Sequence, residues 1–417
     1  MSSRPPSISS DVRMRGFSQR AEVGVGLNWI DANAQALPGE DVSLDDVVSR
    51  VLSVDVSAAI AVPEFNRAAM DGFALRGAET TGAGEYNPLE FKVVGQSMPG
   101  RPFEGGIAPQ SAIRIMTGAP VPEGVDSVVP AEYATEQNGM LVITRAVAPG
   151  QHVGHVGEDI ALGSTVLSAG RRLRPQDAGV AASLGLPRLA VVRQPRVRLL
   201  VTGNEVRAPG ESKKPFEIFD ANSSMLRGLV RRDGGIVESH VRLGDDPSSI
   251  REAMARPGAD VLLISGGSSV GTEDHAPRLL AELGELAVHG VAMRPSSPAG
   301  MGRVGETLVF LLPGNPVSCL CAYDFFAGRA IRRLGGLPAQ WPYRQTQAVV
   351  ARKIVSQIGR VDYVRVRLGA EGVEPLALSG ASMLSSTTRA DGFVVVPADS
   401  EGHGPGSDVT VHLYEYV

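Results

Sequence analysis

Val261-Leu262-Leu263-Ile264-Ser265-Gly266-Gly267-Ser268-Ser269-Val270-Gly271-Thr272-Glu273-Asp274-His275 decides how this chain folds. Four consecutive branched apolar residues, Val261 to Ile264, predict a strand buried on both faces. Residues 274–283 then carry apolar side chains at helical spacing. The loop between them is made of small residues. Gly266, Gly267 and Gly271 let the backbone approach an anion closely, while Ser265, Ser268 and Ser269 add hydroxyl donors. The outline is that of a phosphate or carboxylate pocket closed by an acid, Asp274.

The same grammar surrounds this stretch. Strands are predicted at 197–201, 235–241 and 308–312. Helices are predicted at 223–232 behind Asn222, at 247–255 behind Asp246 and at 316–334 behind Asn315. Such alternation implies a parallel sheet with helices on both faces, whose ligands lie beyond the carboxyl ends of the strands. The residues at those ends are Thr202-Gly203-Asn204-Glu205, Gly244-Asp245-Asp246, Ser265-Gly266-Gly267 and Pro313-Gly314-Asn315-Pro316. Asp246, followed by Pro247, reads as a helix cap. A lone acid after a strand is more often a cap than a ligand, but Glu205, Asp245 and Asp274 together are expected to converge. Mg²⁺ takes one or two protein carboxylates and completes its shell with water and phosphate oxygens. Acids beside a phosphate loop therefore suit a metal-assisted reaction on a phosphate ester or anhydride. Two helix N-termini and the Gly/Ser loop would hold a phosphate without a lysine.

The remaining sequence bounds the alternatives. A chain of 417 residues is too long for one core. Its net charge of -5 and its short, interrupted arginine runs at 171–174 and 193–198 exclude nucleic acid as a partner. No run approaches the roughly 20 apolar residues of a membrane span, and the N-terminus lacks a signal-peptide core. Cys319 and Cys321, two apart in a helical context, fit neither a disulfide nor a zinc site, and a cytoplasmic location is expected. The histidines are scattered, His152 and His155 lying in a Gly-rich turn, and no GxSxG, Walker A or GxGxxG motif occurs. Residues 1–30 are expected to form a mobile N-terminal arm, with least to bury up to about Arg20. Apolar spacing predicts a helix over 42–54, and Asp71-Gly72 a turn. Short strands at 89–94, 112–116, 127–129 and 140–143 predict an all-β module, and Pro175 opens a helix over 174–184. After a linker at 335–338, strands at 348–354, 362–368, 374–378, 392–397 and 408–414 predict a second β domain.

Five ordered motifs resemble those of the molybdopterin molybdenumtransferases, the MoeA proteins, to which the E domain of gephyrin belongs. They are Ala69-Met70-Asp71-Gly72-Phe73-Ala74, the run from Arg114 through Thr117-Gly118-Ala119-Pro120 to Gly124, Thr202-Gly203-Asn204-Glu205, the Ser265 to Gly271 loop, and Leu312-Pro313-Gly314-Asn315-Pro316-Val317-Ser318. The resemblance runs from Val42 to the C-terminus. It implies a multidomain α/β plus β fold: a split α/β domain (31–61 and 158–192), an inserted β domain (62–157), a parallel-sheet molybdopterin-binding α/β domain (193–336) and a C-terminal β-barrel-like domain (337–417). It further implies an elongated, L-shaped homodimer with active clefts shared between subunits. The implied reaction takes adenylylated molybdopterin and molybdate, hydrolyses the pyrophosphate bond, leaves molybdenum on the pterin and releases AMP, with Mg²⁺ as cofactor. A separate molybdopterin adenylyltransferase would supply the substrate.

By the same resemblance, Asp71 is expected to reach the partner subunit's cleft, and Asp159 matches the acid of a Gly-Glu-Asp turn. Glu205, Asp245 and Asp274 match acids around the metal and the adenylylated phosphate. Gly266, Gly267, Ser268, Gly271, Gly314, Asn315 and Ser318 match the pterin-phosphate and nucleotide surface, Thr202, Gly203, Ser265, Ser269, Pro313 and Pro316 in the same motifs are expected to bind substrate with them, and Arg365 and Ser382 resemble positions at the molybdate end. One departure stands out. Where many members carry Lys-Pro-Gly-Lys-Pro, this chain has Arg294-Pro295-Ser296-Ser297-Pro298, and Gly290 stands where another lysine is frequent. Arg294 still presents a forked, charged donor, and Ser296 and Ser297 donate without charge. The sequence leaves open a paralogue with altered oxyanion specificity, such as tungstate, and a non-catalytic molybdopterin-binding scaffold.

Overall fold

Val261–Ser265 is buried along its whole length and forms the third strand of a six-stranded sheet. From one edge the order is Ile236–Leu243, Arg196–Thr202, Val261–Ser265, Thr307–Leu312, Gly300–Val304 and Glu285–His289. The first four strands are parallel, with Leu199 opposite Leu263 and Leu263 opposite Phe310. The expected parallel sheet is thus present and is extended by an antiparallel pair that the sequence did not announce. The computed structural model describes residues 20–268, 274–377 and 381–414.

The chain divides into two compact units, the first comprising Met1–Asp41, Ser49–Ser53 and Ala190–Val417, the second Val42–Val48 and Val54–Leu189. In the first, alternate strand residues enter two cores. Val197, Leu199, Val261, Leu263 and Phe310 pack on one side with residues of helices Val23–Asn33 and Asn222–Arg232 and of the 316–334 segment. Leu200, Leu262, Ile264 and Val309 pack on the other with helices Pro247–Ala255 and Ala276–Leu283. This two-residue period is what a strand covered on both faces requires. Truncating a fully buried residue such as Leu263 to alanine costs about 2–5 kcal/mol.

The 316–334 segment is helical throughout but not uniformly so: Pro316–Ala322 and Gly328–Leu334 flank a π turn at Tyr323–Ala327. The π turn presents Asp324 to a buried ionic cluster. Arg232 Nη2 donates to Asp324 (2.8 Å) and to Asp233 (2.8 Å), Tyr343 donates to Asp324 (2.9 Å), and Arg332 donates to Asp233 (2.9 Å). Every charge there has a hydrogen-bonded counter-charge, as burial demands.

Beyond this segment, Val361–Gly369 pairs with Gly372–Ala377 and with Gly392–Val396. The latter pairs with Asp408–Leu413, which pairs in turn with Gln345–Val349. A bridge between Val350 and Val373 brings the last strand back to the first, so the sheet curls into a ring around Val364, Val366, Val394, Val409 and Val411.

The second unit holds a six-stranded sheet in the order Ser127–Pro130, Gly72–Leu75, Ser111–Ile115, Leu89–Ser97, Met140–Ile143, Ala134–Gln137. Helix Pro175–Ser183 starts at the anticipated proline. The chain bends over 69–71, but Gly72 already belongs to an inner strand, and a Cβ there would lie 2.0 Å from the Val129 carbonyl oxygen. Close approach of the neighbouring strand selects glycine.

Two further expectations fail. Residues 42–54 are not a helix. Strand Gly39–Ser43 runs into a 3₁₀ turn at Leu44–Asp46, and Ser49 sits at φ 70°. Leu44 N–H donates to Pro187 and Val51 O accepts from Val192, so backbone pairing outcompetes a helix whose valines are stiff at χ1. Of the arm expected over 1–30, residues 1–19 lie outside the described residues and the rest is not an arm, because Val23–Asn33 is a helix with Ile30 fully buried. Among the described residues no helix is long and apolar enough to cross a membrane.

Candidate functional site

Four loops leave the carboxyl ends of the parallel strands side by side, in the order Asp245, Thr202–Glu205, Ser265–Ser268, Pro313–Pro316. They surround a cavity of about 760 Å³. Gly266 makes their contact possible. It sits at φ 95°, and a Cβ would lie 2.4 Å from the Thr202 carbonyl oxygen. Asn222 ties two of the loops, its Nδ2 donating to Ser265 Oγ (2.8 Å) and to the Gly314 carbonyl (2.8 Å). Asn204 and Asp245 clamp the other two reciprocally, each backbone N–H donating to the other's side chain (3.0 and 3.2 Å).

Thr202, Gly203, Ser265, Gly266, Gly267 and Ser268 line this cavity, and so do Pro313, Gly314, Asn315, Pro316 and Ser382. Ser269 and Gly271 lie outside the described residues. Glu205, Asp245 and Asp274 line it too, joined by Asp220. Asp220 is buried, accepts from Ser223 N–H (2.9 Å) and Oγ (2.6 Å), and faces His240 (3.4 Å) and Arg242 (3.8 Å). Among the described lining residues there is no lysine, arginine or histidine. Asp246 caps its helix as expected, accepting from Ser249 N–H at 2.8 Å. His289 donates from Nε2 to the Ser268 carbonyl (3.0 Å). Burial lowers its pKa, partly offset by that hydrogen bond and by Asp274, so it is a neutral prop for the loop.

The helix N-terminus at Pro316 offers less than the sequence suggested. Proline has no N–H, Val317 N–H donates to Ala381 O (2.9 Å), and Asn315 makes no side-chain cap. Burial pushes the Cys319 thiol up to about 12 and the Cys321 thiol higher still, which makes both inert.

A second cavity of about 370 Å³ adjoins the first, with Pro298, Pro313 and Asn315 lining both. Arg294, Ser296, Ser297 and Arg365 line it as anticipated. Ser318, assigned by resemblance to the phosphate surface, lies here, and Ser382, assigned to this end, lies in the larger cavity. Met293–Arg294 pairs in parallel with the strand carrying Asp362, and Arg294 Nη2 donates to Asp362 Oδ2 at 2.5 Å. Arg360 Nε donates to the other oxygen at 2.9 Å. Ser296, at φ 91°, donates to the Ser318 carbonyl (2.5 Å), and Arg365 Nη1 donates to Ser386 Oγ (2.7 Å).

Asp71 and Asp159 belong to the second unit. Asp71 Oδ1 accepts from Thr117 N–H (2.7 Å) and Oγ1 (2.9 Å), which hold its carboxyl below the usual range although it is exposed. Asp159 N–H donates to Val62 O (3.1 Å).

The larger cavity's donor set fits a hard divalent cation. Its acids are oxygen donors, and no cage of three or more His, Cys, Asp or Glu is present among the described residues. Magnesium asks for one or two carboxylates and fills the rest of its shell with water and phosphate. Asp220 and Asp362 escaped the sequence reading, and Asn222 reads there only as the start of a helix. The Phe219-Asp220-Ala221-Asn222 run before a helix was a signal for Asp220 and Asn222, whereas Asp362 is visible only through its partner.

Three family profiles match in chain order: "MoeA N-terminal region (domain I and II)" over residues 22–185, "Probable molybdopterin binding domain" over 198–333 and "MoeA C-terminal region (domain IV)" over 347–414. Molybdopterin molybdenumtransferase 2 of Mycobacterium tuberculosis is 34% identical over 381 residues, covering 89% of this chain and 94% of that protein. The molybdopterin molybdenumtransferase of Bacillus subtilis is 30% identical, covering 90% of this chain and 89% of that protein. The crystal structure of the molybdopterin biosynthesis MoeA protein from Pyrococcus horikoshii superposes with a TM-score of 0.83 at 29% identity, covering 96% of this chain and all of that one.

Proposed function

The chain belongs to the MoeA family, and on that footing we propose that it inserts molybdenum from molybdate into adenylylated molybdopterin and releases AMP. The role is a step of molybdenum cofactor biosynthesis. The observation that carries the reaction is the charge contrast between the adjoining cavities. The larger is lined by four carboxylates and no described cation, the smaller by Arg294 and Arg365 with Ser296 and Ser297 and a single acid, Asp362, paired with Arg294. A pyrophosphate cannot enter the larger one unless a divalent cation offsets the acids, and a tetrahedral oxyanion belongs in the smaller one.

One or two of Glu205, Asp245 and Asp274 would hold Mg²⁺, which would supply charge neutralisation and polarisation of the phosphate oxygens. The backbone and hydroxyls of Ser265, Gly266, Gly267 and Ser268 receive the phosphate. Water adds to a phosphorus of the anhydride and the P–O–P bond breaks, leaving AMP and the pterin phosphate. Arg365 and Ser297 orient molybdate beside the pterin dithiolene, and Arg294 contributes in concert with Asp362. We further propose a homodimer in which Asp71 serves the partner's cleft, Asp159 as a further catalytic acid, a separate adenylyltransferase as substrate donor, and a cytoplasmic setting.

The test combines purified protein with adenylylated molybdopterin, Mg²⁺ and molybdate. Stoichiometric AMP and metallated pterin are expected. If neither forms while the Bacillus subtilis relative makes both under the same conditions, the reading is wrong. Replacing molybdate by tungstate checks the oxyanion: faster turnover with tungstate would reassign the cargo.

A further inference from the structure

Arg294 to Pro298 is the tip of the hairpin that joins Glu285–His289 to Gly300–Val304. Backbone bonds close the loop beneath it: Gly290 N–H donates to Ala299 O (3.0 Å), Val291 N–H to Ser297 O (2.9 Å) and Ala299 N–H to Ser296 O (2.9 Å). Within this loop Ser296 is the anomaly. It carries a side chain at φ 91°, in a backbone region that favours glycine, and it is 2% exposed. Such strain persists only where the surroundings fix it, and it collects at ligand clamps.

What fixes Ser296 is its own hydroxyl. Oγ donates to the Ser318 carbonyl at 2.5 Å, which ties the hairpin tip to the first turn of helix Pro316–Ala322. The Cys321 thiol lies against this tie, fully buried, beside the Ser296 hydroxyl and 3.8 Å from the Pro295 carbonyl oxygen. A hydroxyl has one proton to give, so Ser296 lines the smaller cavity without being a donor to an oxyanion there. Its neighbour is in the opposite state. Ser297 lines the same cavity, and its buried Oγ has no hydrogen-bond partner among the described residues.

We propose that Ser296 is a positioning residue for the reaction: its bond to Ser318 latches the hairpin tip in the strained geometry that presents the Ser297 hydroxyl to the oxyanion. The proposal rests on the function given above and names what holds the donor in place. A lysine on its flexible stem reaches an oxyanion from a loosely held backbone. A serine hydroxyl sits one bond from Cβ, so the backbone beneath it has to be fixed. Latch and short donor therefore belong together in this chain, at the place where its sequence departs from the lysine-bearing motif.

The test uses the full-length protein and its Ser296→Ala and Ser296→Gly variants. Each is treated with an aromatic disulfide reagent, and labelling of Cys321 and of Cys319 is followed separately by peptide mass. Ser296→Ala keeps the strain and loses the bond, so Cys321 should label about fivefold faster than in wild type. Ser296→Gly loses both and should fall between, and it carries the comparison alone if the alanine variant does not fold. Cys319, which lies against Ser265 instead, is the internal control and should not change. Equal acceleration of both thiols, or of neither, overturns the latch.

The half-saturating molybdate concentration is the second readout. It should rise about fivefold in Ser296→Ala, but by less than about twofold when the same change is made in a Ser297→Ala protein, because the latch acts through Ser297. The same rise in both backgrounds overturns the positioning role. A wild type that makes no metallated pterin overturns the parent reading, and the labelling of Cys321 then still decides the latch.

Discussion

Arg294 and Asp362 face each other in register across a parallel strand pair, the guanidinium Nη2 2.5 Å from a carboxylate oxygen that is itself buried. The single cation that replaces a lysine-bearing motif is therefore clamped. Arg294→Ala would leave Asp362 in the smaller cavity with Arg360 alone as partner, and that acid would repel an incoming oxyanion. The molybdate concentration for half-maximal turnover is expected to rise about tenfold or more. Adding Asp362→Asn should recover part of the loss, because it removes the repulsion. A double variant no better than Arg294→Ala would show that the pair's charge is immaterial.

Asp274→Asn keeps the side chain's size and removes one of the cavity's four charges. If Asp274 helps to hold the divalent ion, the Mg²⁺ needed for half-maximal AMP release should increase by about tenfold or more, with the unfolding temperature unchanged. An unaltered Mg²⁺ dependence would remove Asp274 from the metal site.

Asp71 offers a test of subunit sharing. Assayed at a Mg²⁺ concentration well below what Asp274→Asn requires, Asp71→Asn and Asp274→Asn should each be nearly inactive alone. Mixed in equal amounts and allowed to exchange subunits, they should regain about a quarter of wild-type turnover. Half the dimers are then mixed, and each of those has one site with both lesions and one with none. Absence of recovery despite proven exchange would place Asp71 outside the partner's cleft.

In the second unit, the buried Asp177 is gripped by Arg174 and Arg171, whose hydrogen bonds hold its carboxyl far below the ordinary range against the opposing effect of burial. A depressed carboxylate stabilises the fold fully above its unfolded pKa of about 3.9 and loses that contribution as pH falls towards the folded value. Asp177→Asn should therefore cost roughly 1–2 kcal/mol at pH 7, discounted because both arginines reach solvent. The gap between wild type and variant in urea unfolding should narrow below about pH 4. A gap independent of pH would assign the effect to packing.

Local chemistry made some elements readable and hid others. Asp246-Pro247 marked the helix Pro247–Ala255 to the residue, because a cap and an N1 proline act within one turn. Val261 to Ile264 announced a doubly covered strand because burial on both faces leaves an unbroken apolar run. The hairpin of Glu285–His289 and Gly300–Val304 went unseen. Gly302 looks like a turn residue, yet it is a strand position where a Cβ would lie 1.9 Å from the Glu285 carbonyl oxygen. The valines of 42–54 imitate helical spacing, and only strand pairing with distant chain tells them apart. The acids and small residues at the strand ends were legible because topology alone brings them to one edge. Asp362 was not, since its meaning depends on Arg294, 68 residues away.

Pro298, Pro313 and Asn315, the residues common to both cavities, form a sill between an acidic chamber and a basic one. Two of the three are prolines, whose rings cannot swing aside and whose nitrogens offer no hydrogen bond. Asn315 is the one side chain on the sill that can hydrogen-bond a ligand. A molecule lying across it would be gripped in the two chambers on either side, so cutting it in the acidic chamber would free the portion beyond the cut and leave the rest seated.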